Sequence, residues 1–306
     1  MQIEPADFTS APAIFPNNDI KYDVNKRRAE IFAVAHNQAL TWCVAKDRPS
    51  TEVLNEKPNI TEVNVIWLQR HDTYCGTLNG LLPLARGLLA ALTDHVDRSP
   101  EKSLLRGRIG YIGGWVLVDA EDSVFEDGQR ILRYMVRVVL VQFKEWVEEE
   151  GCSVYKPCRW TIDGVGKPGV YPIFPEKRAW HLDQNRMRPV LEVKRQQIPL
   201  APAYSITAHA AQGQALPATI VDLELGNGVG PMASYVAMTR VRRREHMLIH
   251  RDFKRDPFAK GPPEGPTLKL RSLRREAIDW KENVEKHMPH RRCHVCVSEF
   301  QEPRGS

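Results

Sequence analysis

The sequence predicts an α/β fold in which a parallel sheet is interrupted by a β-rich insertion and followed by a basic C-terminal tail. Two observations predict the sheet. Near the N-terminus an apolar strand leads through a turn into a helix, and residues 188–255 alternate between strand and helix. Strands that alternate with helices are typical of parallel sheets. The third observation, short strands separated by Gly and Pro over 80–185, predicts the insertion.

The N-terminal unit begins with the short apolar stretch "APAIF", which we interpret as a strand. Asn17, Asn18 and Asp19 then supply a turn and a helix N-cap. Apolar residues recur at helical spacing from Ile20 to Val34, which predicts a helix. Any ordinary α/β unit would share this pattern, so it indicates a fold class and no function.

The middle of the chain is rich in predicted strands. Val63, Val65 and Trp67 alternate with polar residues, as in a half-buried strand. The stretches "GRIGYIGGWVLV" and "RYMVRVVLVQF" are apolar and β-rich, and the first is punctuated by Gly. Three domains are expected. A discontinuous α/β lobe comprises 10–75 and 188–255, an inserted small β-barrel comprises 78–187, and a basic, flexible tail comprises 256–306.

The last third of the chain alternates most clearly. A strand that ends at Pro199 is predicted by "PVLEVKRQQIPL", and two more strands by "ATIVDLEL" and "EHMLIH". Between them we expect a short helix in "ITAHAAQG", ended by Gly213, and a helix in "PMASYVAMTRV" that begins at Pro231. One further helix is expected in the tail, near Leu268 to Lys286.

The composition is that of an ordinary globular protein, with 42% hydrophobic and 26% charged residues. A net charge of +5 permits a polyanionic partner without demanding one. We expect no signal peptide, and the longest apolar window, which contains Arg86, is too short to span a bilayer. Six sparse cysteines indicate a reducing intracellular compartment, with the nucleus expected for a eukaryotic chain, and no membrane partner is expected.

Two stretches of the last third carry a more specific pattern. The first is "RQQIPLAPAYSITAHAAQGQAL", and the second, some twenty residues on, is "SYVAMTRVRRREHMLIH". They resemble the fifth and sixth motifs of superfamily 1 DNA helicases of the RecD-like and PIF-type group. The earlier stretch "IFPNNDIKYDVNKRR" resembles the segment that opens the second motor lobe of that family. The resemblance covers most of 10–255 and is specific over 195–250; it implies an incomplete RecA-like lobe with an inserted barrel.

The resemblance implies a nucleotide-facing role for three residues. In the family, an arginine at the position of Arg240 reaches the γ-phosphate of ATP held by the other motor lobe. A fixed guanidinium there stabilises transition-state charge as an arginine finger. Gln212 and Gly213 stand where the fifth motif turns near the nucleotide, and a glycine permits close backbone approach to a ligand.

The resemblance also implies contacts to nucleic acid. Thr207 and His209 stand where the family bonds a phosphate of the strand, or links that contact to the ATP side. Arg242 and Arg243 could help to track the phosphate backbone. Ordinary alternatives stay open for all of them: Thr207 as a helix N-cap, His209 as a structural histidine, and the arginines as a solvated face.

The sequence departs from the family where ATP and Mg²⁺ would be held. A phosphate-binding loop needs Gly, four residues, then Gly-Lys-Ser/Thr, but Thr161 stands at the first position and Pro168 after Gly166-Lys167. A Mg²⁺-binding acidic pair is also absent. We therefore expect ATP and Mg²⁺ only if a missing first lobe is supplied, and no autonomous ATPase. Ala210 stands where the family often has Lys, which puts one contact in doubt.

The tail contains a Cys-x-x-Cys pair, Cys293 and Cys296, with His290 and His294 nearby. Zinc sites of the structural kind use four ligands in a tetrahedron. A single pair with no second pair close in sequence is weak support for a metal site.

Three functions remain open from the sequence. The first is a helicase-derived module that binds single-stranded DNA, with RNA as an alternative, and works with a separate ATPase lobe or partner protein. The second is a non-enzymatic nucleic-acid-binding or protein-interaction module. The third is an inert remnant of a helicase. Arg240 favours the first, whereas the lost phosphate-binding loop favours the other two.

Overall fold

The computed structural model describes residues 8, 11–16, 18–56, 66–70, 72–119, 123–126, 128–149, 152–224 and 231–259, together with 267, 268, 271, 273, 274 and 276. The chain divides into two compact units, Met1–Lys254 and Arg255–Ser306.

The described strands are, in chain order, β1 Ala13–Phe15, β2 Thr41–Val44, β3 Lys46–Pro49, β4 Leu81–Leu84, β5 Leu89–Leu92, β6 Ile109–Val116, β7 Ser123–Glu126, β8 Gln129–Leu132, β9 Val138–Glu149, β10 Cys152–Pro157, β11 Val170–Ile173, β12 Glu176–His181, β13 Glu192–Gln197, β14 Leu200–Pro202, β15 Ser205–Thr207, β16 Thr219–Val221 and β17 Met247–Ile249. The α-helices are α1 Asn18–Ala35, α2 Thr51–Glu56, α3 Ala208–Ala211, α4 Pro231–Met238 and α5 Asp256–Ala259, and short 3-10 helices lie at Asp72–Tyr74 and Arg244–His246.

A four-stranded parallel sheet with the order β15-β1-β16-β17 confirms the predicted α/β class. Its central strand β1 is buried along its whole length, as expected for a parallel strand packed on both faces. The predicted strand, turn and helix at the N-terminus are confirmed by β1 and α1. Asn25 of α1 joins the helix to the sheet, because its side-chain amide donates to the carbonyl of Ser205 at 3.1 Å and accepts from the Ser205 amide at 2.7 Å.

The alternation of the last third is confirmed for α3, β16, α4 and β17. The strand predicted before Pro199 is also present, as β13, but it does not belong to the parallel sheet, and it pairs antiparallel with β12 and β3. The reason is a buried ion pair. Arg195 and Asp47 are both fully buried side chains, and their bidentate contact, with N–O distances of 2.7 and 2.8 Å, fixes β13 against β3.

The prediction of a strand around Trp67 is wrong at that residue, because residues 66–69 are helical. Trp67 is buried edge-on against the ring of Trp180, with ring centroids 5.8 Å apart, and its carbonyl accepts from Arg195 at 2.8 Å. Val63 and Val65 lie outside the described residues.

The predicted β-rich insertion is present as strands, but no closed barrel is found in its described part. Its larger sheet runs β10-β9-β6-β5-β14, with β11 also on β9, and the two end strands do not pair with each other. Gly110 of β6 permits this packing, since a Cβ there would lie 2.6 Å from Cγ1 of Val141 on β9. The main hydrophobic core lies under these strands and includes the fully buried Leu84 and Phe143. The predicted domain bounds stay a prediction.

The second unit, Arg255–Ser306, begins with α5. Helical positions follow at 267, 268, 271 and 273, and Arg271 pairs with Glu276 at 2.9 Å. The rest of the tail helix expected up to Lys286, like Cys293 and Cys296, falls outside the described residues. A search of the described helices for one that is long and apolar enough to cross a membrane finds none.

Candidate functional site

A cavity of about 530 Å³, called the groove below, is lined by the whole of β15, the edge strand of the parallel sheet, as far as its carboxyl end at Thr207. Ligands of open α/β sheets bind at the carboxyl ends of the strands. One wall comes from the first half of α1, another from β5 and the residues just before β6, and the floor from residues 201–207. Its lining carries three cations, Lys21, Lys26 and Arg106, and two carboxylates, Asp23 and Asp72.

Thr207 is the last residue of β15 and lies on the groove. The alternative role considered for Thr207, that of a helix N-cap, is also observed. Its Oγ1 accepts from the backbone amide of Ala210 at 3.3 Å and so caps α3. The two roles are compatible. A threonine hydroxyl that accepts one hydrogen bond still has its own hydrogen to donate, as a phosphate oxygen would require.

His209 and Ala210 occupy different positions on α3. His209 is exposed and does not line the groove. Ala210, noted in the sequence as the loss of a lysine, does line it, so this part of the wall has a methyl group where the related motif has a cation. The alanine at this position was visible in the sequence, but its place on the groove was not.

The turn after α3 is held by local hydrogen bonds. Gly213 has φ +81, a left-handed conformation that favours glycine, and a Cβ built there would meet no atom within 4 Å. Gln212 is exposed and forms the C-cap, and Gln214 donates from Nε2 to the carbonyl of Ala210 at 2.9 Å. The outer side of the turn at Gly213 therefore has open space beside it, and Gln214 lies on the groove.

Arg240 follows α4 and turns back onto the same lobe. Its Nε donates to the carbonyl of Val236 at 2.8 Å, and its Nη2 to Oγ1 of Thr239 at 2.9 Å. Its Nη1 donates to the carbonyls of Ala211 at 3.4 Å and Gln214 at 3.2 Å. A half-buried guanidinium therefore ties the end of α4 to the turn after α3. Sequence reasoning did not predict this arrangement.

Arg242 and Arg243 are exposed and do not line the groove. The structure therefore brings Thr207, the 212–214 turn and Arg240 together, and leaves these two arginines on the surface. The cations that do line the groove were missed in the sequence. Lys21 and Lys26 lie in α1, and Lys26 places its Nζ 5.6 Å from the centroid of the Trp42 ring.

The groove wall is stiffened by buried polar contacts. Tyr22 donates its hydroxyl to Oδ1 of Asn79, and Asn79 donates from Nδ2 to the carbonyl of Leu200 at 2.8 Å. Burial, followed by the charge of Asp72, raises the pKa of Tyr22 well above its usual range. Tyr22 therefore stays neutral and keeps its hydrogen bond to Asn79 across the physiological pH range.

Asp222 directly follows β16, at the carboxyl end of that strand. Its side chain is fully buried and receives both Nε and Nη2 of Arg251, at 3.1 and 2.9 Å. Donation of these hydrogen bonds to Asp222 raises the pKa of Arg251. This carboxylate is thus already neutralised, and within the described residues no cluster of three or more His, Cys, Asp or Glu could hold a metal ion.

Comparison with solved structures shows which known fold this chain resembles. The Pif1 helicase from Candida albicans matches with a TM-score of 0.51 and 16% identity, over 86% of this chain and 49% of that chain. Bacteroides Pif1 bound to ssDNA matches with a TM-score of 0.38 and 16% identity, over 89% of this chain and 54% of that chain. No protein-family model and no curated protein matches the sequence.

These identities are low enough that the likeness speaks to fold alone. The parallel sheet with its flanking helices matches a RecA-like helicase lobe, and the fold is helicase-like. The chain spans about half the length of the Pif1 structures it matches.

Proposed function

We propose that this chain is a helicase-derived module, the second motor lobe of a superfamily 1 helicase of the RecD-like and PIF-type group, that binds single-stranded nucleic acid. The observation that carries the proposal is the groove. It combines the hydroxyl of Thr207, at the end of a parallel strand, with the cations Lys21, Lys26 and Arg106. Phosphate backbones are bound by such hydroxyls and cations.

Single-stranded DNA is the preferred partner, and RNA is the alternative. His209, Arg242 and Arg243 do not line the groove, so they contribute only where a strand leaves it.

The experiment is fluorescence anisotropy of a labelled single-stranded oligonucleotide at several salt concentrations. Each phosphate contact on a single strand contributes about −0.7 to the slope of log affinity against log salt. Contacts from three cations therefore predict a slope near −2, so a fourfold rise in salt should weaken binding by ~20-fold.

The variant Lys26→Ala should reduce that slope by about 0.7. Lys177→Ala removes the same charge from the exposed face of β12, away from the groove, and should leave the slope unchanged. Equal slopes for both variants, or no binding at low salt, would refute binding in this groove.

The ATP side of the proposal rests on Arg240. We infer that it supplies an arginine finger to an ATP site whose phosphates and Mg²⁺ are held by another lobe or a partner protein. Gln212 and Gly213 would border that site, and the bare outer side of the turn at Gly213 leaves room for a phosphate. To act there, the guanidinium has to leave the carbonyls of Ala211 and Gln214.

This part is tested by ATP hydrolysis. The chain alone should show no Mg²⁺-dependent ATPase. Added to the separately produced first lobe of a PIF-type helicase, it should stimulate hydrolysis, and Arg240→Ala should remove the stimulation. Arg243→Ala, three residues away and exposed, is the matched control.

A second candidate is a non-enzymatic nucleic-acid-binding or protein-interaction module. The four hydrogen-bond acceptors that Arg240 already has within its own lobe favour it, because they give the arginine a structural role without ATP. Salt-dependent strand binding with no effect on the first lobe's hydrolysis would favour this function over the first.

A further inference from the structure

The guanidinium of Arg240 is held from two directions. Its Nε donates to the carbonyl of Val236 at 2.8 Å and its Nη2 to Oγ1 of Thr239 at 2.9 Å, both at the end of α4. Its Nη1 reaches the turn after α3, where the carbonyls of Ala211 and Gln214 accept at 3.4 and 3.2 Å. N–H···O hydrogen bonds are most frequent near 2.9–3.0 Å. The contacts to α4 are therefore the shorter ones, and those to the turn are easier to exchange for another acceptor.

Thr239 fixes the Nη2 end of this group. It directly follows α4, and its hydroxyl oxygen lies 3.0 Å from the carbonyl oxygens of both Tyr235 and Val236. The last carbonyls of a helix have no partner within the helix, so a nearby hydroxyl donates to them. A threonine hydroxyl has one hydrogen to donate and two lone pairs to accept. The helix end therefore orients the hydroxyl, and the hydroxyl in turn accepts from Arg240.

The guanidinium keeps donors for a further ligand while it is held in this way. Two of its five N–H groups belong to Nη2, and in the part of the chain that the structure describes Nη2 has one acceptor, Thr239. One Nη2 hydrogen therefore stays available. A phosphate that replaced the two carbonyls of the turn at Nη1 could take one hydrogen from each of these nitrogens. This is the bidentate arrangement that guanidinium groups form with phosphates.

We propose that Thr239 is a positioning residue for Arg240: its hydroxyl holds the guanidinium in the orientation in which Nη1 and Nη2 can receive a phosphoryl group. The proposal rests on the arginine-finger role proposed above and deepens it, because it names the residue that sets the geometry of the finger. In this role Thr239 acts only through Arg240 and makes no contact with ATP. Small misplacements of a reacting or stabilising group cost large factors in rate, so the chemical step is affected more than binding.

Thr239→Val removes the hydroxyl and keeps the branched shape of the side chain. With the separately produced first lobe of a PIF-type helicase, this variant should lower the maximal stimulated rate of ATP hydrolysis about tenfold, as loss of one hydrogen bond to a charged group predicts. The KM for ATP and the concentration of this chain at half-maximal stimulation should stay the same. Thr239→Ser keeps the hydroxyl and should restore the rate.

Ser234→Ala is the matched control on the same helix. Ser234 is 1% exposed, and its hydroxyl has no hydrogen-bond partner among the described residues, so its removal should leave the rate unchanged. Thermal unfolding of each variant shows whether all of them are folded to the same extent.

A measurement on the chain alone reports the positioning directly. Rotation about the Cζ–Nε bond of Arg240 exchanges Nη1 with Nη2, and NMR of an isotope-labelled chain measures its rate, with Arg240→Ala identifying the signal by its absence. The rotation should be about tenfold faster in Thr239→Val. It should be unchanged in Thr239→Ser and Ser234→Ala, and a Thr239 that only supported the end of α4 would leave it unchanged in all three.

The outcomes separate this proposal from the one on which it rests. If Arg240→Ala left the stimulation intact, the arginine-finger function would be wrong, and the positioning role with it. If Arg240→Ala removed the stimulation but Thr239→Val kept the full rate, only the positioning role would be overturned. A rate that Thr239→Ser does not restore, or an equal loss in Ser234→Ala, would likewise overturn the role of the Thr239 hydroxyl.

Discussion

Arg240 donates from Nη1 to the carbonyl of Gln214 at 3.2 Å, and Gln214 lines the groove. The same nitrogen reaches the carbonyl of Ala211 at 3.4 Å. The residue proposed for the ATP side is therefore joined directly to the wall of the proposed nucleic-acid site. Under the proposed function, a phosphate that drew the guanidinium away would release both carbonyls, so we expect nucleotide binding to alter the groove.

Arg240→Ala should loosen the 212–214 turn and weaken oligonucleotide binding about fivefold, the equivalent of one net hydrogen bond. The amide of Gln214, which donates to the Ala211 carbonyl at 3.1 Å, should exchange its hydrogen faster. Hydrogen exchange and anisotropy measure the two effects. Arg243→Ala removes an exposed neighbouring charge and should leave the exchange of Gln214 unchanged. If Arg240→Ala left both readouts unaltered, the proposed link would be wrong.

The sequence predicted those parts of this site that depend on local pattern. The short helix around His209 and the helix that begins at Pro231 follow from residues within each segment, and both are confirmed. The fold-back of Arg240 could not be predicted, because its acceptors Ala211 and Gln214 lie 29 and 26 residues away along the chain.

The groove and β13 illustrate the same limit. Lys26 and Arg106 meet at one cavity only because α1 and the segment before β6 pack together, and no sequence spacing encodes that. The stretch that became β13 has the apolar alternation of any strand. It pairs with β3 across the buried contact between Arg195 and Asp47, two residues 148 positions apart.

Asp47→Ala should destabilise the protein by about 3–5 kcal/mol, because it leaves the guanidinium of Arg195 buried without its counter-ion. Urea unfolding followed by tryptophan fluorescence would report the loss, since the Trp180 ring lies 5.6 Å from that guanidinium. Lys194→Ala breaks a surface pair with Glu192 on the same strand and should change stability by less than about 1 kcal/mol. Similar effects of the two substitutions would contradict the structural role of the buried pair.

Gly110→Ala should destabilise the insertion by about 1–3 kcal/mol, because the new methyl group would lie 2.6 Å from Cγ1 of Val141 and 3.0 Å from the carbonyl of Gln142. Gly114→Ala, on the same strand β6, is the matched control, since nothing lies within 4 Å of its Cβ position. Thermal unfolding of both variants measures the difference. A loss for Gly114→Ala as large as that for Gly110→Ala would show that strand propensity, and not the close approach of β9, sets the effect.

Asp97 should make stability depend on pH in the acid range. The nearby hydroxyl of Ser99, the backbone amide of Ser99, which donates to Oδ1 at 2.9 Å, and the ammonium of Lys102 lower the pKa of Asp97 to about 2. A carboxyl whose pKa is lower in the folded protein stabilises it above the unfolded pKa, near 3.9, and that stabilisation is lost as pH falls toward 2. Asp97→Asn should therefore flatten the fall in melting temperature between about pH 4 and pH 2. An unchanged profile would mean that Asp97 is not perturbed by these contacts.

Because Asp97 belongs to the loop that leads to Arg106, the same variant should weaken oligonucleotide binding at neutral pH if the loop positions that arginine on the groove.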